Sequence, residues 1–246
     1  MFIAFDRIVN VRDLGGIPAA DGKKVRPGRL LRGAALDKAS DADLERLEKE
    51  FRLRRIIDFR DGNEREKYPN RAVPGALAHA CPVLPEPPKM KPPTMDVVPD
   101  FDAIFRRVYG SIGRSEVSAA AYAEMFRVLL DCPEGAVYFH CAQGKDRTGI
   151  GAILILTALG AELETAKEDY FLSNIGLKEA EAEPMSVGVR PWPREVLDKL
   201  FNVFPENLNI WLETVRETWG GLDAYLRGPL GLTDADFARL RELYLE

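Results

Sequence analysis

Ten residues, His140-Cys141-Ala142-Gln143-Gly144-Lys145-Asp146-Arg147-Thr148-Gly149, constrain this chain more than any other stretch. In front of them Ala136-Val137-Tyr138-Phe139 is a short apolar run that reads as a buried strand, and behind them residues 150–159 are apolar enough to form a core helix. A buried strand that passes through a polar, glycine-containing turn straight into a buried helix belongs to an α/β architecture, with the turn at the carboxyl end of the strand. Backbone N–H groups of such a turn can converge on one point, and the helix N-terminus adds roughly half a positive charge there. The stretch therefore predicts a phosphate trap.

Each residue type in it has a chemical task. Cys141 sits where N–H groups, the helix end and Arg147 all favour negative charge, so it is expected to be a thiolate near neutral pH. Arg147 offers a planar fork that can grip two phosphate oxygens and follow them into the transition state. The backbone from Ala142 through Gln143 to Arg147 supplies the cradle, and Gly144 removes a side chain where that backbone must approach the ligand. Lys145 is read as a second cation for the bound phosphate. Thr148 can give its hydroxyl hydrogen bond to the sulfur as it departs in a second step.

These residues resemble the Cys-x5-Arg signature of the cysteine-dependent phosphatases, and the fuller His-Cys-x-x-Gly-Lys-Asp-Arg-Thr-Gly string is similar to one bacterial and fungal branch of tyrosine phosphatases. Arg12-Asp13-Leu14-Gly15-Gly16 resembles the N-terminal motif of the same branch, where a following strand ends in an arginine like Arg32. Ile56-Ile57-Asp58-Phe59-Arg60 corresponds to a further family stretch whose strand ends beside the phosphate loop, and Asp169-Tyr170 and residues 220–226 extend the likeness. The resemblance implies a tyrosine-phosphatase-like fold, a phosphorylated protein or phosphoinositide as substrate and inorganic phosphate as product. It also brings His140, Arg12, Asp13, Arg32 and Arg60 to the site as supporting residues.

Along the chain, strands are predicted at residues 2–5, 30–33, 53–59, 76–83 and 136–139. Helices are predicted at 41–51, where Ser40 is a good N-cap, and at 101–112, 115–130, 148–159, 162–173, 194–203, 206–218 and 233–244. The expected fold is a mostly parallel central sheet of about four or five strands flanked by helices, with a helical C-terminal part. A length of 246 residues with 46% apolar content allows one domain over the whole chain. Residues 82–99 are too rich in proline for helix or central strand, so 82–130 is a candidate lid or substrate-binding insertion.

Composition removes several other functions. A net charge of −5 speaks against nucleic acid as the main partner. No run approaches the roughly 18 apolar residues of a membrane span, and the N-terminus lacks a secretion signal, so a cytoplasmic protein without integral membrane association is expected. Cys81, Cys132 and Cys141 lack paired spacing and histidine company, so neither disulfides, a metal nor any other cofactor is expected. Cys81 and Cys132 read as small packing residues, and a redox partner for Cys141 has no support in the spacing. His79 reads as an ordinary packing residue.

The general acid stays open among three sources. Asp58 ends a strand that should run beside the one before Cys141, although a salt bridge to a neighbouring arginine explains it as well. Asp146 lies in the loop itself and could either reach the substrate or cap the helix. Asp96, Asp100 and Asp102 precede the cysteine, as acid loops do in other tyrosine phosphatases. Trp192-Pro193 is set aside, because it follows the cysteine and leads into Arg194 rather than an aspartate. A phosphoinositide phosphatase, favoured by Lys145, and a phosphate-binding module without turnover are the alternatives; sulfur transfer and arsenate reduction explain neither the full loop string nor the N-terminal motif.

Overall fold

The computed structural model describes residues 1–84, 100–178, 198–199 and 201–246. Most of the proline-rich stretch with Asp96, the Trp192-Pro193 pair and half of the helix expected at 194–203 lie outside the described residues.

Five strands form one sheet: β1 (Arg12–Asp13), β2 (Leu30–Gly33), β3 (Leu53–Asp58), β4 (Leu77–Ala80) and β5 (Ala136–His140). Their spatial order is β1-β2-β5-β3-β4, with β1 antiparallel to β2 and every other pairing parallel. This is the predicted α/β architecture. The expected strand at residues 2–5 shrinks to a single bridge between Phe2 and Arg12, because it lies outside a two-residue edge strand that offers little to pair with.

Side chains alternate across the sheet, so each strand feeds two cores. On β5, Val137 and Phe139 join Leu30, Ile57 and Phe59 on one face, where α4 (Glu116–Leu130) and α5 (Asp146–Ala158) pack. Ala136 and Tyr138 join Leu31, Leu53 and Ile56 on the other face, covered by Leu47 of α1 (Asp41–Lys49). β5 is buried on both faces, which is why it reads as an unbroken apolar run rather than an alternating one. Ser40 caps α1 in a reciprocal box with Asp43, as the sequence suggests.

α3 (Phe101–Arg114) rests on the helix Pro205–Trp219. Gly113 makes that approach close, since a Cβ there would lie 2.9 Å from Cβ of Thr214, and the Trp219 indole donates to the Gly113 carbonyl at 2.8 Å. α4 buries Tyr122, Met125, Phe126 and Leu129, so this part of the 82–130 candidate insertion is a core helix rather than a lid. α6 (Leu163–Phe171), the short Ser173–Gly176 turn of helix, and the helices Leu222–Arg227 and Asp234–Tyr244 complete the described helical part. Lys24 and Glu246 exchange backbone hydrogen bonds of 3.0 and 2.9 Å, which ties the last residue to the N-terminal segment. Among the described residues no helix is long and apolar enough to cross a membrane.

Candidate active site

Gly33, His140 and Asp58 stand side by side at the carboxyl ends of β2, β5 and β3. The segments that follow these strands must therefore meet at one end of the sheet, which is where open α/β sheets place ligands. The segment after β5 is the loop 141–145, with Cys141 at its base and only 3% exposed.

Outward braces hold the loop carbonyls. The Ala142 carbonyl accepts from the Ala35 N–H at 3.1 Å. Asn10 Nδ2 donates to the carbonyls of Gln143 at 3.0 Å and Gly144 at 3.2 Å, while Arg32 Nη2 donates to Gly144 at 2.9 Å and reaches Lys145 at 3.4 Å. In a trans peptide the N–H points opposite to the C=O. Fixing the carbonyls of residues 142–145 outward thus turns the N–H groups of Gln143, Gly144, Lys145 and Asp146 to the inner side. Gly144 takes φ of +69°, and a Cβ there would stand 2.2 Å from the Gly33 carbonyl carbon, so only glycine permits this seat against β2.

The braces rest on a buried ion network. Asp169 accepts from Arg12 Nε at 3.1 Å and from Arg32 Nη1, and Arg12 also reaches Ser173 Oγ at 3.2 Å and the side-chain oxygen of Asn10. Burial and the Arg32 charge lower the Arg12 guanidinium to about 10, against the pull of Asp169, so it stays charged at neutral pH. Arg12 and Arg32 thus support the loop from behind. Breaking such a buried pair costs about 3–5 kcal/mol, enough to unseat the loop. Asp13 supports the fold at greater remove, accepting from the N–H groups of Gly15 at 2.8 Å and Gly28 at 2.6 Å.

Arg147, in the first turn of α5, is clamped by Glu64 of α2 (Gly62–Lys67), with Nη1 to Oε2 at 2.6 Å and Nη2 to Oε1 at 2.8 Å. Nη1 also points to the Phe59 carbonyl at 3.4 Å, and Tyr122 holds the Arg147 carbonyl at 2.9 Å. A guanidinium carries five N–H donors. With these uses counted, Nε–H and the second Nη2 hydrogen remain as a side-on fork. Burial opposes the charge, but Glu64 and then Cys141 raise the Arg147 pKa far above the ordinary range.

Asp58 resolves toward its structural reading. Arg60 grips it through Nε and Nη2, at 3.0 to 2.8 Å, and Asn70 donates to Oδ2 at 3.1 Å. Arg60 further reaches the Tyr68 carbonyl and Asn70, so its expected support acts through Asp58 and the 68–70 turn. His140 Nδ1 lies 2.9 Å from the Cys141 carbonyl, which can only accept, and Nε2 lies 3.0 Å from Asn70 Nδ2. These contacts assign a neutral imidazole protonated at Nδ1. Burial also lowers the His140 pKa, so Arg60 is the permanent cation beside Asp58. Burial opposes the Asp58 charge, yet the hydrogen bonds and charge of Arg60 hold its pKa below the carboxylate value.

A pH dependence of stability follows. His140 is depressed in the fold, so the unfolded chain takes up the proton first once pH falls below about 6.5, and stability must drop from there. Asp58, Glu64 and Asp169 are each lowered by their arginine partners against the opposing effect of burial. Their stabilisation is complete above about pH 4.5 and is lost as pH falls through their folded values. Urea midpoints measured from neutral to acid pH are expected to decline in these two stages, and His140→Gln to remove the upper one. A midpoint that rises between about pH 6.5 and pH 5 would contradict this assignment.

Asp146 is different from Asp58. Its side chain is 21% exposed, and its Oδ1 accepts from Tyr109 at 2.5 Å rather than from an arginine. Lys145, expected as a second cation for the phosphate, is buried; its Nζ donates to the Asn202 carbonyl at 3.1 Å, lies 3.6 Å from Asp146 Oδ2 and sits over the Phe105 ring. Its ammonium is engaged by protein groups. The Thr148 hydroxyl is buried with no hydrogen-bond partner, Cys141 sulfur included, so the expected contact is not formed here. Asp100 caps α3 through the Ala103 N–H, and Asp102 pairs with Lys199.

Cys81 follows β4 and is two strands from Cys141. At roughly 4.8 Å per strand their backbones stand about 10 Å apart, beyond the roughly 7 Å that a disulfide tolerates. Burial and nearby carboxylates also push the Cys81 thiol up to about 12, which disfavours its thiolate. Among the described residues no cluster of His, Cys, Asp or Glu is suited to a metal.

Sequence reading assigned no role to Asn10, Glu64, Asn70, Tyr109 or Asp169. Asp169 lay in a stretch singled out for its resemblance, and Asn10 stands two residues before Arg12 with a left-handed φ of 59°, a conformation asparagine tolerates.

Comparison with known proteins places the chain in a family. The family model described as "Tyrosine phosphatase family" matches residues 3–246. A Cupriavidus necator protein named "Putative tyrosine-protein phosphatase H16_A0669" is 36% identical over 258 residues, covering 99% of this chain and 88% of that protein. The Mycobacterium tuberculosis "Triple specificity protein phosphatase PtpB" is 26% identical over 275 residues, covering 96% of both. With the family model spanning nearly its whole length and the loop residues gathered at one end of the sheet, the chain belongs to the tyrosine phosphatase family.

Proposed function

We propose that the protein hydrolyses phosphate monoesters, phosphotyrosine in proteins first among them, by double displacement on Cys141. The thiolate attacks phosphorus, the bond to the leaving oxygen breaks, and Asp146 gives that oxygen its proton. Water then attacks the cysteinyl phosphate with the Asp146 carboxylate as base, releasing inorganic phosphate and restoring the thiolate. The N–H groups on the inner side of the loop and the free fork of Arg147 hold the equatorial oxygens through both steps, with no cofactor. The observation that carries the reading is the outward bracing of the loop carbonyls over a buried cysteine, beside an arginine already oriented by Glu64.

Asp146 takes the acid role because, of the described carboxylates adjoining the loop, it alone is partly exposed and not bound to arginine. Asp58 and Glu64 are held by Arg60 and Arg147. The mycobacterial relative's name carries three specificities. For this chain, phosphoinositides rank below phosphotyrosine, because the cation invoked for multiply charged substrates, Lys145, is turned to Asn202.

Asp146→Asn tests the acid assignment. General acid catalysis contributes about 10²–10⁴, and an alkyl phosphate with a poor leaving group should lose most of it, whereas an aryl phosphate with a good leaving group should lose little. Equal losses for the two substrates would remove Asp146 from the role.

A further inference from the structure

Tyr109 of α3 is wholly buried, and its hydroxyl touches two groups, Asp146 Oδ1 at 2.5 Å and the Tyr170 hydroxyl of α6 at 2.6 Å. A carboxylate oxygen only accepts, so the Tyr109 proton lies toward Asp146 and the Tyr109 oxygen accepts from Tyr170. The order Tyr170 to Tyr109 to Asp146 is thereby fixed. Burial raises both phenol pKa values, so the two tyrosines remain neutral donors throughout the pH range of interest.

We propose that Tyr109 is a positioning residue that selects which Asp146 oxygen carries the catalytic proton; this rests on the reading of Asp146 as the acid. Oδ1 is occupied by a donor, so the proton of the acid form must reside on Oδ2, the oxygen on the Lys145 side, 3.6 Å from its Nζ. A carboxyl group without that donor can carry the proton on either oxygen and turn about its terminal bond. Three elements converge for this purpose, α3, α5 and α6, and neither tyrosine is part of the Cys141–Arg147 cradle. A packing role alone would be met by phenylalanine at position 109, since the ring would fill the same space. The hydroxyl is therefore the feature to test.

Tyr109→Phe is measured beside Asp146→Asn and the double variant, each with an aryl phosphate of good leaving group and an alkyl phosphate of poor one. A hydrogen bond to a charged group is the interaction removed, so kcat/KM for the alkyl phosphate is expected to fall about tenfold, with the aryl phosphate nearly unchanged. In the Asp146→Asn background the same tyrosine change should add no further leaving-group dependence. Tyr170→Phe should give a smaller loss of the same kind, and it keeps the test available if Tyr109→Phe does not fold. If Asp146→Asn discriminates between the substrates and neither tyrosine variant does, the proposal is overturned while the acid assignment stands. If Asp146→Asn itself fails to discriminate, the acid assignment falls and the proposal falls with it.

Discussion

Cys141→Ser is expected to abolish turnover while leaving anion binding nearly intact. The hydroxyl is a far weaker nucleophile than a thiolate at neutral pH, and loss of a nucleophile of this kind costs roughly five to six powers of ten in kcat. Binding survives because the cradle does not depend on sulfur: its carbonyls are held by Ala35, Asn10 and Arg32, and Arg147 is held by Glu64. Isothermal titration with phosphate or vanadate reads the binding, and steady-state hydrolysis reads the turnover. A serine variant with near-wild-type turnover would eliminate covalent catalysis at this position.

Arg147→Lys is the second large effect. Charge is preserved, yet an ammonium is a point donor and cannot hold Glu64 and two equatorial oxygens in one plane. Glu64 takes one hydrogen from each terminal nitrogen and the Phe59 carbonyl draws another from Nη1, which leaves a side-on pair for the phosphate. Lysine can offer neither this division of labour nor its geometry. An arginine acting on a transferring phosphoryl group is worth about 10³–10⁵ in kcat, and a loss of that size is expected. A lysine variant within tenfold of wild type would mean that net charge, not the planar fork, is what the site uses.

The loop that carries Cys141 and Arg147 was legible in the sequence because strand, loop and helix N-terminus are contiguous, so local pattern carries its placement. The braces were not. Asn10 lies 133 residues from Gln143, Glu64 lies 83 from Arg147, and Asp169 lies 137 from Arg32, and no local periodicity records such contacts. Asp58 was ambiguous for a different reason: an acidic residue ending a buried strand reads alike whether it meets substrate or an arginine two positions on. The contacts of Lys145 were not legible, because its position in the motif says nothing about Asn202 and Phe105, which approach from other parts of the chain. Four of the five strands followed from apolar runs and turn residues; β1 did not, because its two residues are charged and the strand expected at 2–5 forms only the Phe2–Arg12 bridge. The helix Gly62–Lys67 escaped because six polar residues show no apolar period, and only the Asp61 to Glu64 box marks its start.

The stability of the site and its chemistry share these braces. Asn10 fixes two loop carbonyls, and Arg12 and Asp169 fix Asn10 and Arg32 in turn. Acid conditions that protonate Asp169 or Glu64 therefore loosen the loop and Arg147 together, so activity and folding should fail over the same acid range.

The most direct test of the account is to trap the covalent intermediate. Wild-type protein in excess chelator is mixed with an aryl phosphate, quenched in acid during turnover and digested, and the phosphorylated peptide is identified by mass spectrometry. A phosphate is expected on Cys141 and none in the Cys141→Ser variant. A phosphate on any other residue, or turnover that proceeds without an adduct and only with added metal, would contradict it.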